Sequence, residues 1–306
     1  MHRHSKRTIL FLSGAILLLT GHVCPGQDGW SPSCPLPHGH HFYGVAHRHG
    51  DHAAAIGRNG AIFLSESAGA CWDATPSGTT HLLTGLSFPT PFAGTAVGMH
   101  GTILRTEDGG ISWATQTSPT THWLHAVFFV DTSHGIAVGD SGTILRSTDG
   151  GWTWSTMMSG TPLRLTDVHA ATTSSWTAVG DSGLILRSTD AGVSWQVDNS
   201  GVTQPLNAII FTNERSGFVV GDGGIILHTG NGGETWITRE SGTQIRLLDV
   251  SFSDDETGYV CGENGTILRT SDAGSTWMRQ TTATTHRLRG ISFSGNDSGI
   301  AVGDFS

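Results

Sequence analysis

Charged side chains are scarce in this chain, at 13% of residues, and the formal net charge is -9. Without a basic excess there is no electrostatic footprint for nucleic acid. The glycine and aromatic content is equally unlike a disordered acidic tail. Long apolar runs are missing too. The one from Thr8 to Thr20 is shorter than the roughly 20 residues that span a bilayer, and no second one follows. Cysteine is sparse: Cys24, Cys34, Cys71 and Cys261 stand at no metal-ligand spacing. Tyrosine occurs only twice, as Tyr43 and Tyr259.

The segment up to Arg7 is basic, and the apolar run follows it directly. That order is the pattern of a secretory signal, so residues 1–26 are expected to be removed and 27–306 to form the exported protein, periplasmic or extracellular, with no transmembrane span after cleavage. Lipidation at Cys24 is the competing reading, but Gly21, His22 and Val23 match the small-residue processing pattern poorly. An oxidising compartment permits a Cys34 to Cys71 disulfide without establishing it. Cys261 stands where other copies of the repeat described next carry valine, so it reads as a small buried hydrophobe.

What the chain has in abundance is a repeat. Gly57, Gly98, Gly139, Gly180, Gly221, Gly262 and Gly303 are each 41 residues apart, as are Trp72, Trp113, Trp154, Trp195, Trp236 and Trp277. Each unit reads as four short strands: an apolar run such as Leu124 to Phe129, a second such as Gly135 to Gly139, a tight Gly-rich turn, a third such as Thr143 to Ser147, and a fourth opening at the tryptophan. Four antiparallel strands at this period describe a β-propeller blade. Leucine-rich solenoids have shorter units and an asparagine or cysteine ladder, which is absent. Leu83, Leu124, Leu165, Leu206, Leu247 and Leu288 share one position, and Phe88, Phe129, Phe211, Phe252 and Phe293 share another, with Ala170 the exception. Such constancy speaks of packing between sheets.

The first two strands occur seven times, but the third and fourth only six, because the last unit stops at Ser306. The expected fold is therefore all-β: a seven-bladed propeller of 41-residue four-stranded repeats with an incomplete last blade. Six repeats run from about 40 to 285 and a partial one from 286 to 306, with an N-terminal strand near 29–32 around Trp30 closing the ring. An abrupt end at a hairpin turn also admits a chain shortened from a longer gene product.

The segment Ser147-Thr148-Asp149-Gly150-Gly151-Trp152-Thr153-Trp154 and its copies carry the pattern S/T-x-D-G/A-G-x-S/T-W. This resembles the Asp-box, or BNR repeat. Its aspartates here are Asp108, Asp149, Asp190 and Asp272, with Asn231 in one copy and Ser67 in the first; its tryptophans include Trp113, Trp154, Trp195, Trp236 and Trp277. An aspartate that accepts backbone N–H groups in its own turn, glycines that permit positive φ and a wedging tryptophan make the box structural. With AVGxxGTILRTxDGG, the chain is similar to propellers of the photosystem II stability and assembly factor type. That resemblance implies a non-catalytic scaffold with a protein partner, photosystem II components among them, and an arginine patch. A thylakoid lumen location would follow only in a photosynthetic host.

Two residue sets are candidates for partner binding. Arg105, Arg146, Arg187 and Arg269 recur at the end of the third strand, where stacking or capping is the plainer role. Trp123, Arg164, Arg246, Arg287 and Arg289 vary at the loops entering the first strand, as a recognition face on a fixed scaffold does. His47, His49 and His52 form the one metal-like pattern, no motif asks for a cofactor, and nucleic acid is not an expected partner. A glycan hydrolase is the alternative class: sialidases also carry Asp-boxes, using a tyrosine, three arginines and acidic partners, and Asp167 and Asp249 hold equivalent first-strand positions. A structural module of a larger surface protein is a third reading.

Overall fold

The computed structural model describes residues 8–12, 30–32, 41–294 and 298–304. Cys24, Cys34, His38, His40 and most of residues 1–26 lie outside them. The protein is an all-β propeller. Six blades are each one continuous four-stranded antiparallel meander, the third being Leu124–Phe129, Gly135–Gly139, Ile144–Ser147 and Ser155–Met157. The repeat alone therefore makes six blades, not seven, because the last unit supplies only Leu288–Ser294 and Ser298–Gly303. Those two strands join Thr8–Leu12 and Trp30–Pro32 in a further sheet. The expected closing strand near 29–32 lies at its outer edge. A three-stranded closure was expected, but the third position is taken by Thr8–Leu12, which pairs parallel to both neighbours. That segment lies within the expected leader, residues 1–26.

Why these residues make this shape is visible at the glycines 41 apart. At Gly139 the backbone is extended, and an added Cβ would lie 2.0 Å from the Trp123 carbonyl oxygen; the other six meet the equivalent carbonyl at 2.0 to 2.4 Å. The requirement is close approach, not left-handed backbone. In the turn that follows, Gly142 combines a φ of +66° with a carbonyl 1.9 Å from a hypothetical Cβ, so nothing else fits.

Within the blades the box tryptophan meets the first-strand phenylalanine edge to face, at 5.8 Å for Trp154 and Phe129 and 6.2 Å for Trp236 and Phe211. Trp30 meets Phe293 the same way at 6.3 Å, so the N-terminal strand supplies the tryptophan that the last unit lacks. The exception at Ala170 is compensated across the hairpin. Where other blades have a glycine pressed against the phenylalanine ring, as Gly135 is against Phe129, the fourth has Trp176, buried to 1% exposure.

The innermost strands stand side by side around the axis: Phe42–His49, Leu83–Ser87, Leu124–Phe129, Leu165–Ala170, Leu206–Phe211, Leu247–Phe252 and Leu288–Ser294. Side chains staple each to the next. The Thr84 hydroxyl donates to the Leu124 carbonyl at 2.8 Å and Thr166 to Leu206 at 2.7 Å, while the Ser87 hydroxyl oxygen accepts the Phe129 N–H at 3.1 Å. Ser292 accepts the His47 N–H at 3.1 Å, carrying the same bond from the last unit back to the first.

Candidate functional site

Every innermost strand carries a bulge near its start, between Leu124 and Ala126 in the third blade and Leu165 and Asp167 in the fourth. A bulge re-aims successive side chains. Here it turns both residues that follow the constant leucine toward the axis. The result is a cavity of about 470 Å³ at the end where the chain enters the innermost strands. Tyr43, Trp123, Arg164, Arg246 and Arg289 stand among its lining, with Asp167, His169 and Asp249.

The arginines are held by acids that begin the turns between second and third strands. Arg164 meets Asp181 at 2.7 Å, Arg246 meets Asp222 at 2.6 Å, and Arg287 meets Glu263 at 2.9 Å. Arg289 grips Asp304 with two nitrogens at 2.6 and 3.0 Å and lies 4.2 Å from the centre of the Tyr43 ring. Trp123 leans on His125, their ring centres 4.7 Å apart, and His125 reaches Asp140 at 2.7 Å. The entry loops thus build a charged aromatic rim whose guanidiniums are fixed in place.

The two carboxyls below the rim are different. Asp167 accepts the N–H groups of Val168 and, from the next blade, Ile209, each at 2.8 Å. Asp249 repeats the arrangement with Val250 at 2.8 Å and Ile291 at 2.7 Å. Burial carries Asp167 up to about 8, with the Asp249 charge adding to it, and carries Asp249 up to about 7. The backbone N–H groups oppose both shifts and are outweighed. His169, stacked on Phe128 at 3.8 Å, is brought down to about 4 by burial and stays neutral.

The other arginine set lies at the opposite end, beside the boxes. Arg105 donates to the Gly150 carbonyl of the next blade at 2.8 Å and pairs with Glu107 at 3.0 Å; Arg146 donates to Ala191 at 2.7 Å. Arg187 pairs with Asp198 at 2.6 Å, and Arg269 donates to the Tyr259 hydroxyl at 3.1 Å. The structure brings Trp123, Arg164, Arg246 and Arg289 together, sets Arg287 beside them, and keeps these four apart.

The boxes are closed local cages. In one, the Ser194 hydroxyl and N–H and the Ser188 hydroxyl all bond to Asp190 and bring it down to about 2. Asn231 holds the same cage, its oxygen accepting and its amide donating to Thr235 at 3.0 Å. His47 bonds Ser292 through Nδ1 at 2.9 Å, whereas His49 and His52 line a different cavity beside Phe92. Among the described residues, no three His, Cys, Asp or Glu side chains are grouped to hold a metal. Tyr43, Thr166 and His169 are pocket residues that sequence reasoning missed. For Tyr43 and Thr166 the signal was their register with Thr84, His125 and Asn207; His169 instead shares the register of Phe128 and Ile210.

Residues 111–197, 155–230 and 231–304 match the sequence profile of the photosynthesis system II assembly factor YCF48. The chain belongs to that family. Two solved YCF48 structures share its fold. One, described as YCF48 bound to a D1 peptide, is 19% identical, with a TM-score of 0.72 over 88% of this chain and 90% of that one. YCF48 from Cyanidioschyzon merolae is 21% identical at the same TM-score, over 88% and 94%. The fold alone is also shared with a GH74 enzyme from Niastella koreensis, at 14% identity and a TM-score of 0.69, the match covering 84% of this chain and 50% of that one. No curated protein matches significantly. No helix among the described residues is long and apolar enough to cross a membrane.

Proposed function

We propose that this YCF48-family propeller is an exported, non-catalytic scaffold that binds a segment of a protein partner at the axial cavity. The observation that carries the reading is the rim. Trp123, Tyr43 and His125 offer aromatic surface, and the arginines are pre-oriented by Asp181, Asp222, Glu263 and Asp304, so a peptide meets fixed partners. The D1 peptide bound by a relative makes photosystem II polypeptides the first partners to try. Export rests on the apolar run after a basic start. Titration with a D1-derived peptide tests the binding. Trp123→Ala and Arg246→Ala are expected to weaken it by about tenfold or more. Equal affinity in both variants, or no binding by the parent protein, overturns the proposal.

A second reading is kept by one observation. Tyr43, Arg164, Arg246 and Arg289 share the cavity with two carboxyls, the set that hydrolysis of an acidic glycan would use. Release of product from sialosides, lost in Tyr43→Phe, would favour it over the scaffold.

A further inference from the structure

Of the two open positions in the Asp-box, one is the residue before the final Ser/Thr-Trp, whose side chain takes no part in the cage. Its occupants in successive blades are Ala70, Ile111, Trp152, Val193, Glu234 and Ser275. The cage bonds run through the first Ser/Thr, the Asp or Asn, and the last Ser/Thr, and glutamate and serine serve in two blades. Yet the three adjoining middle blades carry large apolar groups, exposed at 67% for Ile111, 52% for Trp152 and 55% for Val193. Phe92, on the neighbouring hairpin loop, is 67% exposed. It lines a cavity of about 410 Å³ together with Pro91, Ile111, His49 and His52.

Each box is clasped by the blade before it, so the three positions follow one another in an arc round the ring. Arg48 donates to the Gly109 carbonyl, Arg105 to Gly150 and Arg146 to Ala191. Arg105 also covers one face of the Trp152 indole, 4.0 Å from its centre, and leaves the other open. Carboxylates accompany the arc: Asp108, Asp149 and Asp190 sit in the same three boxes, with Glu107 and Glu66 beside them. Asp108 and Asp190 are held at about 2, so this end stays anionic at physiological pH. The basic groups at this end are Arg48, Arg105 and Arg146, all spent on the clasps, Arg187, paired with Asp198, and the imidazoles of His49 and His52.

We propose that the arc of Ile111, Trp152 and Val193 is a second docking surface, for a basic amphipathic segment of a protein partner. Apolar side chains of that segment cover the arc, and its lysines or arginines reach Asp108, Asp149 and Asp190. An exposed apolar patch within a charged surround is the usual mark of an interaction site. The surface lies opposite the axial cavity and does not depend on the reading proposed for it. A propeller with both would join two partners through one rigid body.

The test uses fluorescence anisotropy with a labelled amphipathic leucine–lysine peptide and its leucine–glutamate counterpart at physiological salt. The protein is compared with the triple variant Ile111→Ser, Trp152→Ser, Val193→Ser, which keeps every charge and places at each site the residue the sixth blade already has. The leucine–lysine peptide is expected to bind the parent protein, and the triple variant to lose about tenfold or more in affinity. Asp149→Asn with Asp190→Asn, a change the Asn231 box shows the cage accepts, is expected to weaken binding severalfold. Unchanged affinity in the triple variant, equal binding of both peptides, or co-sedimentation with phosphatidylcholine vesicles in place of peptide binding overturns the proposal.

Discussion

The buried carboxyls make a prediction whose sign follows from the cavity. Asp167 and Asp249 lie near 8 and 7 in the folded protein against an ordinary carboxyl near 4, so the folded state holds protons that the unfolded chain releases. Their contribution is complete below the unfolded value and is lost as pH rises through 7 and 8. Histidines act in the opposite direction. His47 and His169 are lowered to about 4 by burial, and their contribution is complete above the unfolded value near 6.5 and lost below it. Between pH 6.5 and 8 the carboxyls therefore act without these two imidazoles. Integrated over that window they remove about 2 kcal/mol, equivalent to a fall of roughly 4–8 °C in melting temperature. Thermal unfolding in buffers of matched ionic strength measures it. Asp167→Asn with Asp249→Asn flattens the slope whatever it does to absolute stability, and each single variant removes its own share. A melting temperature constant from pH 6.5 to 8, or the same slope in the double variant, refutes the reasoning.

Three further outcomes are expected. Asp190→Asn costs less than about 1 kcal/mol, because an amide already fills the Asn231 cage, whereas Asp190→Ala gives up three hydrogen bonds and about 2 kcal/mol; chemical denaturation separates the two. Ser292→Ala unties the bond from the last unit to the first and leaves the His47 N–H unmet, for about 1–3 kcal/mol, with faster amide exchange along Phe42–His49 as the local readout. Gly139→Ala drives a methyl into the Trp123 carbonyl and costs more than about 3 kcal/mol, measured as lost soluble yield or a lowered melting temperature, although its extended backbone suits any residue.

The blades were legible because their cause is local and repeated: a glycine that cannot carry a Cβ, a box that closes on itself and a tryptophan set against a phenylalanine. The swap at Ala170 and Trp176 shows the same rule, but sequence position alone displayed only half of it. Arg105 and Arg164 are alike in composition and differ in which end of a strand they occupy; one clasps a neighbouring box and the other borders the cavity. The cavity itself depends on bulges, which shift side-chain direction by a residue and leave little mark on apolar patterning. Thr166, at the bulge itself, became visible only through that shift. The parallel strand Thr8–Leu12 had no precedent in the repeat and could not be read from it.

The staples between innermost strands bear on how the axial cavity works. Thr166, Asn207, Asp167 and Asp249 each spend a polar atom holding the next blade, with Asn207 reaching the Leu247 carbonyl at 2.6 Å, so the walls are already ordered before anything enters. A guest then loses its own freedom without freezing the host's. Association should therefore proceed as a single encounter step, with no slow closing phase and little change in protein dynamics on filling.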